Sequence, residues 1–175
     1  MYEIDERDRI HTLLGVPQSS IGAPNPLVVS DEYRTVLAYC VEDRSEAWTG
    51  DTVRVVGPRD AGETIALVRF AFCYAHMSGP PGDEAFGGHP LASRGLEPYG
   101  AFEIESSSWI RKLERMNSVH PRHRPEWYAK RRHLISTFHD TTFECVCDGF
   151  DVTLSHGSIA AVVPDMVELL EWSKG

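Results

Sequence analysis

The run ETIALVRFAFCYAHM at positions 63–77 constrains the fold more than any other part of the chain. Its residues alternate between the two faces of a β-strand, and both faces are largely apolar. Phe70 and Phe72 share one face, whereas Ala71 and Cys73 share the other. A strand that is apolar on both faces is typical of the centre of a sheet covered on both sides. The sequence therefore predicts one long central strand here.

Shorter runs rich in β-branched and aromatic residues predict further strands at 33–41, 51–57 and 101–105. The stretch 133–155 predicts two or three antiparallel strands, with Asp148-Gly149 as the strongest hairpin signal. These strands follow one another without intervening helices, a pattern that favours antiparallel pairing. We therefore expect one α+β domain over residues 1–175, mainly an antiparallel curled sheet or a β-sandwich with about three short flanking helices.

The three helices are predicted from apolar spacing and from capping residues. An apolar stripe and an acidic first turn predict an N-terminal helix at about 3–14. A serine that can cap the first turn predicts a second helix at 107–117. Pro164 suits the first turn of a C-terminal helix, with Met166 facing inward. The proline- and glycine-rich stretch between the first helix and the strand at 33–41 is predicted as a loop.

Charge is unevenly distributed along the chain, whose net charge is −9. Residues 106–133 hold eight Lys and Arg against two Glu, a net charge of +6, whereas the rest of the chain carries −15. The basic segment includes Trp127 and Tyr128, which could stack on single-stranded nucleic acid. The acidic remainder argues against nucleic-acid binding, because phosphate neutralisation needs a basic surface, but it leaves local anion binding open.

The N-terminal segment and the longest apolar runs bear on location. The first residues, MYEIDERDRI, are charged and have no apolar core, a pattern that predicts no signal peptide. The apolar runs are too short to span a bilayer, so we expect no membrane partner. The sequence therefore predicts a cytoplasmic protein. In that setting the four cysteines, two of which form Cys145-x-Cys147, favour reduced thiols packed in the core, although C-x-C also permits a metal pair.

Residues 78–100 form a long loop that contains six of the fourteen glycines and four of the eleven prolines. Loops of this length in compact domains are usually functional or disordered. Several side chains in or beside it could bind a ligand or transfer a proton: Asp83, Glu84, His89 and Arg94, with His76 at the end of the preceding strand. The alternative is that Asp83 and Glu84 are solvated and that His89 only supports a turn.

A second group of candidate residues lies in FHDTTFEC, at 138–145. If a hairpin turns near 140–142, His139 comes close to Glu144 across it. Together with His89, these side chains could hold zinc, iron or manganese, or, with Asp140 as a further carboxylate, could act as acid and base. The alternative is a structural hydrogen bond between His139 and Asp140. Glu144, within an apolar strand, would need a partner if it pointed inward.

Arg69 raises a similar question, because it interrupts the most apolar strand of the chain. Arg69 or Arg94 could hold an anionic small-molecule ligand. The alternative is an internal ion pair between Arg69 and Glu103, Glu105 or Glu144.

Signature motifs of several enzyme classes are missing from the sequence. It contains no phosphate-binding P-loop, no dinucleotide-binding glycine motif, no G-x-S-x-G and no H-E-x-x-H. Two hypotheses follow. The first is a small cytosolic enzyme or small-molecule binder whose His and carboxylate residues, with or without a metal, lie under the loop 78–100 acting as a lid. The second is a non-catalytic acidic module that binds another protein, of an inhibitor or immunity type.

Overall fold

A computed structural model describes residues 2–42 and 56–171. Within these ranges the chain forms nine strands and two α-helices. The strands are β1 (Arg9–Thr12), β2 (Leu27–Ser30), β3 (Thr35–Cys40), β4 (Glu63–Ala71), β5 (Ala75–Gly79), β6 (Ala101–Glu105), β7 (Arg132–Thr137), β8 (Thr142–Cys147) and β9 (Gly149–Gly157). The helices are α1 (Ser108–Asn117) and α2 (Val163–Glu168), and single 3₁₀ turns form at Asp83–Gly88, Ala92–Arg94 and Pro125–Trp127.

The strands form two antiparallel sheets that pack face to face. One sheet has the order β1-β6-β7-β8-β5 and the other has the order β2-β3-β4-β9. Aromatic rings cross the space between them: the Tyr39 and Phe138 ring centroids are 5.4 Å apart, and those of Phe70 and Phe143 are 5.3 Å apart. The predicted antiparallel α+β fold is therefore confirmed, as a β-sandwich.

Each sheet is also covered on its outer face. Helix α2 packs Met166 against the four-stranded sheet. The five-stranded sheet is covered by the N-terminal segment, by α1 and by the glycine-rich loop, which buries Phe86, Leu91 and Leu96. Three buried apolar side chains anchor this loop to the sheet. The loop is thus a packed layer of the fold. None of the helices in residues 2–42 and 56–171 is long and apolar enough to cross a membrane.

The predicted long strand at 63–77 is instead two strands in different sheets. β4 ends at Ala71 and pairs with β3 and β9, whereas β5 begins at Ala75 and pairs with β8. Phe72 between them has a φ of 45°, in the left-handed region. This conformation breaks the extended backbone and redirects the chain into the second sheet. β4 alone keeps the predicted central position.

Three other local predictions were wrong, and each was overridden by tertiary pairing. The segment 3–14 contains β1, which pairs with β6, where a helix was expected. The predicted loop before β3 contains β2. Asp148-Gly149 does not form a hairpin turn, because the strands on either side of it lie in different sheets: β8 pairs with β7, whereas β9 pairs with β4.

The remaining predicted elements fall close to their expected positions. β3, β6 and α2 lie within the predicted ranges, and Met166 is buried as expected. Helix α1 is capped by Ser107, whose Oγ accepts a hydrogen bond from the Ile110 N–H at 3.2 Å. Most of the predicted strand at 51–57 lies outside the described residues.

Candidate functional site

The outer face of the five-stranded sheet holds a buried polar network centred on Glu144. This residue is 2% exposed. The Tyr2 hydroxyl donates to Glu144 Oε2 at 2.7 Å, and His133 Nε2 lies 2.9 Å from the same oxygen. His89 Nε2 lies 3.0 Å from Glu144 Oε1. The loop 78–100 thus places His89 beside Glu144, the carboxylate that the sequence predicted to need a partner.

Strand alternation explains why these side chains meet. In β7 and β8, Leu134 and Cys145 face the space between the sheets. Their neighbours His133 and Glu144 therefore project from the opposite face, toward the loop and α1. The turn at Asp83–Gly88 ends at His89, which brings its ring over that face.

Hydrogen bonding assigns the protons in this network. The Leu91 N–H donates to His89 Nδ1 at 3.1 Å, so the His89 proton is on Nε2 and points at Glu144. His133 uses its other nitrogen, Nδ1, to contact Ser107 Oγ at 2.8 Å. A continuous chain of hydrogen bonds thus runs from Ser107 through His133 and Glu144 to His89.

The carboxylate of Glu144 is ionised in this environment. Burial acts to raise the pKa of Glu144, but hydrogen bonds from His133, His89 and Tyr2 outweigh it and lower the pKa to about 2. Burial and the adjacent carboxylate raise the pKa of the Tyr2 hydroxyl far above its ordinary value. The network therefore contains one buried negative charge, on Glu144, and buried donors hydrogen-bond to both of its carboxylate oxygens. Such an arrangement can orient His133 and Ser107 firmly.

A second polar cluster lies at the protein surface, where the loop meets the β7–β8 turn. Tyr99 donates a hydrogen bond to Asp83, and His139 Nδ1 lies 3.0 Å from Asp140 Oδ1. The hydrogen bond that His139 makes to Asp140 and the charge of Asp83 raise the pKa of His139, while the Tyr99 hydrogen bond lowers the pKa of Asp83. Burial and then Asp83 raise the pKa of Tyr99 to about 12. The carboxylates of Asp140 and Asp83 therefore favour the protonated form of His139.

The structure thus divides the predicted site into two parts. The β7–β8 register sets Ile135 opposite Glu144, so the hairpin does not bring His139 to that carboxylate as predicted. His89 and Glu144 are buried together, whereas Asp83, His139 and Asp140 form the surface cluster. No group of three or more His, Cys, Asp or Glu among the described residues is arranged to hold a metal ion. The proposed set of His139, Glu144 and His89 is therefore not assembled as a metal site.

The other predicted site residues are dispersed. Arg69 forms an internal ion pair, the alternative to ligand binding, but its partner is Asp151, at 2.7 Å across β4 and β9. The predicted partner, one of Glu103, Glu105 and Glu144, was wrong. His76 is exposed on β5, with its ring stacked near that of Phe143. Glu84 and Arg94 are also exposed. The cysteines Cys40, Cys73, Cys145 and Cys147 are free and buried, in agreement with core packing.

A groove of about 720 Å³, absent from the sequence-based predictions, lies between α1 and the edge of the five-stranded sheet. It is lined by four arginines: Arg7, Arg111, Arg131 and Arg132. Acidic residues hold these side chains in place. Arg132 makes two hydrogen bonds to Glu103, at 2.8 and 2.7 Å, and Arg111 pairs with Asp5 at 2.7 Å.

One groove residue also belongs to the buried network, because Ser107 lines the groove and contacts His133. The Nε of Arg131 is buried and has no hydrogen-bond partner within the described part of the chain. The sequence signal for this site was the basic segment 106–133, which supplies three of the four arginines. The fourth arginine, Arg7, comes from the N-terminal segment, and no local sequence pattern indicates that it joins the groove.

Comparison with models of known protein families, with curated proteins and with solved structures finds no match to this chain. The fold and the groove together define an antiparallel α+β sandwich with an arginine-lined cleft. Its function is therefore inferred from the geometry of that cleft.

The contact between the loop and the β7–β8 turn gives a testable prediction. A Cβ at Gly82 would lie 2.7 Å from the His139 carbonyl oxygen and 2.9 Å from Asp140 Cα, both backbone atoms that cannot move independently. We expect Gly82→Ala to lower the free energy of unfolding by about 1–3 kcal/mol in urea titrations. Gly87→Ala is the matched control, because a Cβ at Gly87 would have no atom within 4 Å. Equal stability of the two variants would contradict the close packing of loop and turn.

Proposed function

We propose that this protein binds an anionic small molecule, bearing phosphate or carboxylate groups, in the groove between α1 and the five-stranded sheet. The observation that carries the proposal is the convergence of four arginines on one groove in a chain with a net charge of −9. A cleft lined by one sign of charge concentrates ions of the opposite sign. Two glutamates, Glu103 and Glu105, also line the groove, which leaves the arginines in excess.

The size and rigidity of the groove support this function. Its volume of about 720 Å³ lies within the range usual for small-molecule sites. Guanidinium groups present several N–H donors in a fixed plane, which suits phosphate and carboxylate oxygens. Because Asp5 and Glu103 already hold Arg111 and Arg132, a ligand would meet side chains with little rotamer freedom left to lose.

A neighbouring groove of about 880 Å³ is larger but suits this function less well. It shares Arg7 and Arg111, and its other charged residues are of mixed sign: Glu3, Asp5, Lys112, Glu114 and Arg115. Four basic and three acidic residues line it, so its net positive charge is smaller than that of the arginine groove. It also does not include Ser107 among its lining residues, and so does not reach the buried network.

Acid–base catalysis on the bound ligand is the second candidate function, and Ser107 is the observation that favours it. This hydroxyl lines the groove while contacting His133, which in turn contacts an ionised Glu144. A carboxylate that orients an imidazole beside a hydroxyl is an arrangement used in proton transfer. The described residues offer no three-ligand metal set, so neither candidate includes a metal.

The expected cytoplasmic location stays part of the proposal, and cell fractionation tests it.

Binding of inorganic pyrophosphate, measured by isothermal titration calorimetry, tests the proposal. We expect Arg131→Met to weaken binding about tenfold or more, because hydrogen bonds to charged groups contribute about 1.5–3 kcal/mol. Lys130→Met is the matched control: it removes the same charge from the adjacent residue, which does not line the groove.

Circular dichroism would establish that both variants are folded. The proposal predicts that Arg131→Met also weakens the binding of citrate, a carboxylate ligand, more than Lys130→Met does. If Arg131→Met and Lys130→Met weaken binding equally, the anion recognises net charge alone and the groove is not its site. If the unaltered protein binds neither anion, the proposed function is wrong.

A further inference from the structure

Beyond the groove, the surface that follows α1 has the properties of a docking site. After Asn117 the chain folds back along the helix, and His123 Nε2 lies 2.6 Å from Glu114 Oε1. The Trp127 ring packs near the rings of His120 and His123, with centroid distances of 6.5 and 6.3 Å. The segment 118–131 is therefore held to α1 through His123 and packs on itself around Trp127.

Three large apolar side chains on this surface face solvent. Met116 is 64% exposed, Val119 is 87% exposed and Trp127 is 46% exposed. Isolated exposed apolar residues are common, but these three lie on one helix end and on the segment that folds back onto it. Met, Trp and Arg are among the residues enriched at protein interfaces.

Helix α1 and the segment that follows it also carry five exposed basic residues: Lys112, Arg115, Arg122, Arg124 and Lys130. None of the five makes an ion pair with any residue in the ranges 2–42 and 56–171. The arginines of the groove differ in this respect, since Arg111, Arg131 and Arg132 are all paired. We call the five basic and three apolar residues the basic patch. Unpaired cations on the same helix and segment as exposed apolar side chains complement an acidic surface that carries apolar side chains.

We propose that the basic patch docks an acidic segment of another protein, with an apolar side chain of that segment packed against Trp127. The charge of the chain favours this partner over nucleic acid. The residues outside 106–133 carry a net charge of −15, which opposes a partner as densely charged as a phosphate backbone. Met116 and Val119 also offer apolar contact, which suits a protein side chain better than a stacked base.

Fluorescence anisotropy with labelled peptides tests this inference. The probe is a peptide of alternating Glu and Leu, compared with a peptide in which Gln replaces each Glu. We expect the acidic peptide to bind about tenfold or more tightly than the Gln peptide, with an affinity that falls as salt rises. Trp127→Ala should weaken binding about tenfold, because exposed interface tryptophans are frequent hot spots. Because Trp127 is 46% exposed, we expect the variant to fold, and circular dichroism checks this.

Arg124→Gln provides a second, charge-only variant that does not depend on the tryptophan. Its matched control is Arg59→Gln, since the preceding Pro58 lies beside Ala160 near α2, on the other side of the sandwich. We expect Arg124→Gln to weaken peptide binding several-fold and to leave pyrophosphate binding in the groove unchanged. Equal effects of Arg124→Gln and Arg59→Gln, or the absence of peptide binding, would overturn the proposal. Tighter binding of a thymidine oligonucleotide than of the acidic peptide would also overturn it, in favour of a nucleic-acid partner.

Discussion

Replacement of Glu144 by alanine is expected to lower the free energy of unfolding by about 3–5 kcal/mol. The substitution removes the only carboxylate of the buried network and leaves the donors of Tyr2, His89 and His133 facing it without an acceptor. Each buried donor that loses its partner costs about 1–3 kcal/mol. Because small domains are stable by about 5–15 kcal/mol in total, the variant should lie near the limit of folding. Urea unfolding followed by circular dichroism measures the loss.

Asp151→Ala is the matched control for this experiment. Asp151 also accepts a hydrogen bond from a basic side chain, that of Arg69, at 2.7 Å. Its side chain is 67% exposed, so water replaces the lost partner and the expected cost is below about 1 kcal/mol. If Glu144→Ala costs no more than Asp151→Ala, the buried network does not hold the fold together.

The reason for so large an effect is that the network joins segments that are far apart in sequence. Tyr2 comes from the N-terminus, His89 from the glycine-rich loop and Ser107 from the start of α1, and all connect to β7 and β8 through His133 and Glu144. The same connection fixes the position of α1, which forms one wall of the arginine groove. Stability of the network and geometry of the groove are therefore linked through Ser107.

The fold class could be predicted from sequence because it depends on local composition. β-branched runs and turn residues identify most strands, and strands without intervening helices imply antiparallel pairing. The division of these strands between two sheets could not be predicted in this way. It depends first on the left-handed backbone at Phe72, a residue type that favours extended backbone and so predicted one continuous strand. It depends also on the crossing between sheets at Asp148, where the dipeptide Asp148-Gly149 predicted a hairpin. Tertiary packing decides both positions.

The candidate site was predictable only in part, for a similar reason. An acidic residue within the apolar strand β8 indicated that Glu144 needed partners, and His89 is one of them. Its other partners, Tyr2 and His133, lie 142 and 11 residues away in sequence and carry no spacing signal. The error for His139 arose from hairpin register, since a small shift in the turn changes which residue faces Glu144. The basic segment was visible as composition, but its separation into a groove and a surface patch requires the folded chain.

Acidification should remove about 3 kcal/mol of stability through Glu144 alone. Its ordinary pKa of 4.5 falls to about 2 in the folded protein, and each unit of pKa difference between the folded and unfolded states is worth about 1.4 kcal/mol. A group whose pKa is lowered by folding stabilises the protein fully above its unfolded pKa. This contribution is therefore present above about pH 4.5 and is lost as the pH falls toward about 2. Urea unfolding at a series of pH values across this window measures the loss.

The contribution of Glu144 is isolated by comparison with Glu144→Gln, which keeps the shape of the side chain but cannot ionise. Other carboxylates with lowered pKa values, such as Asp83 and Glu103, remain in both proteins and cancel in the difference. Tyr2, His89 and His133, which face the carboxylate, are also common to both. We expect the stability advantage of the unaltered protein over Glu144→Gln to shrink by about 3 kcal/mol as the pH crosses this window. Parallel stability curves would show that Glu144 is not held ionised by its buried donors, and the charge that orients His133 and Ser107 beneath the groove would then be missing.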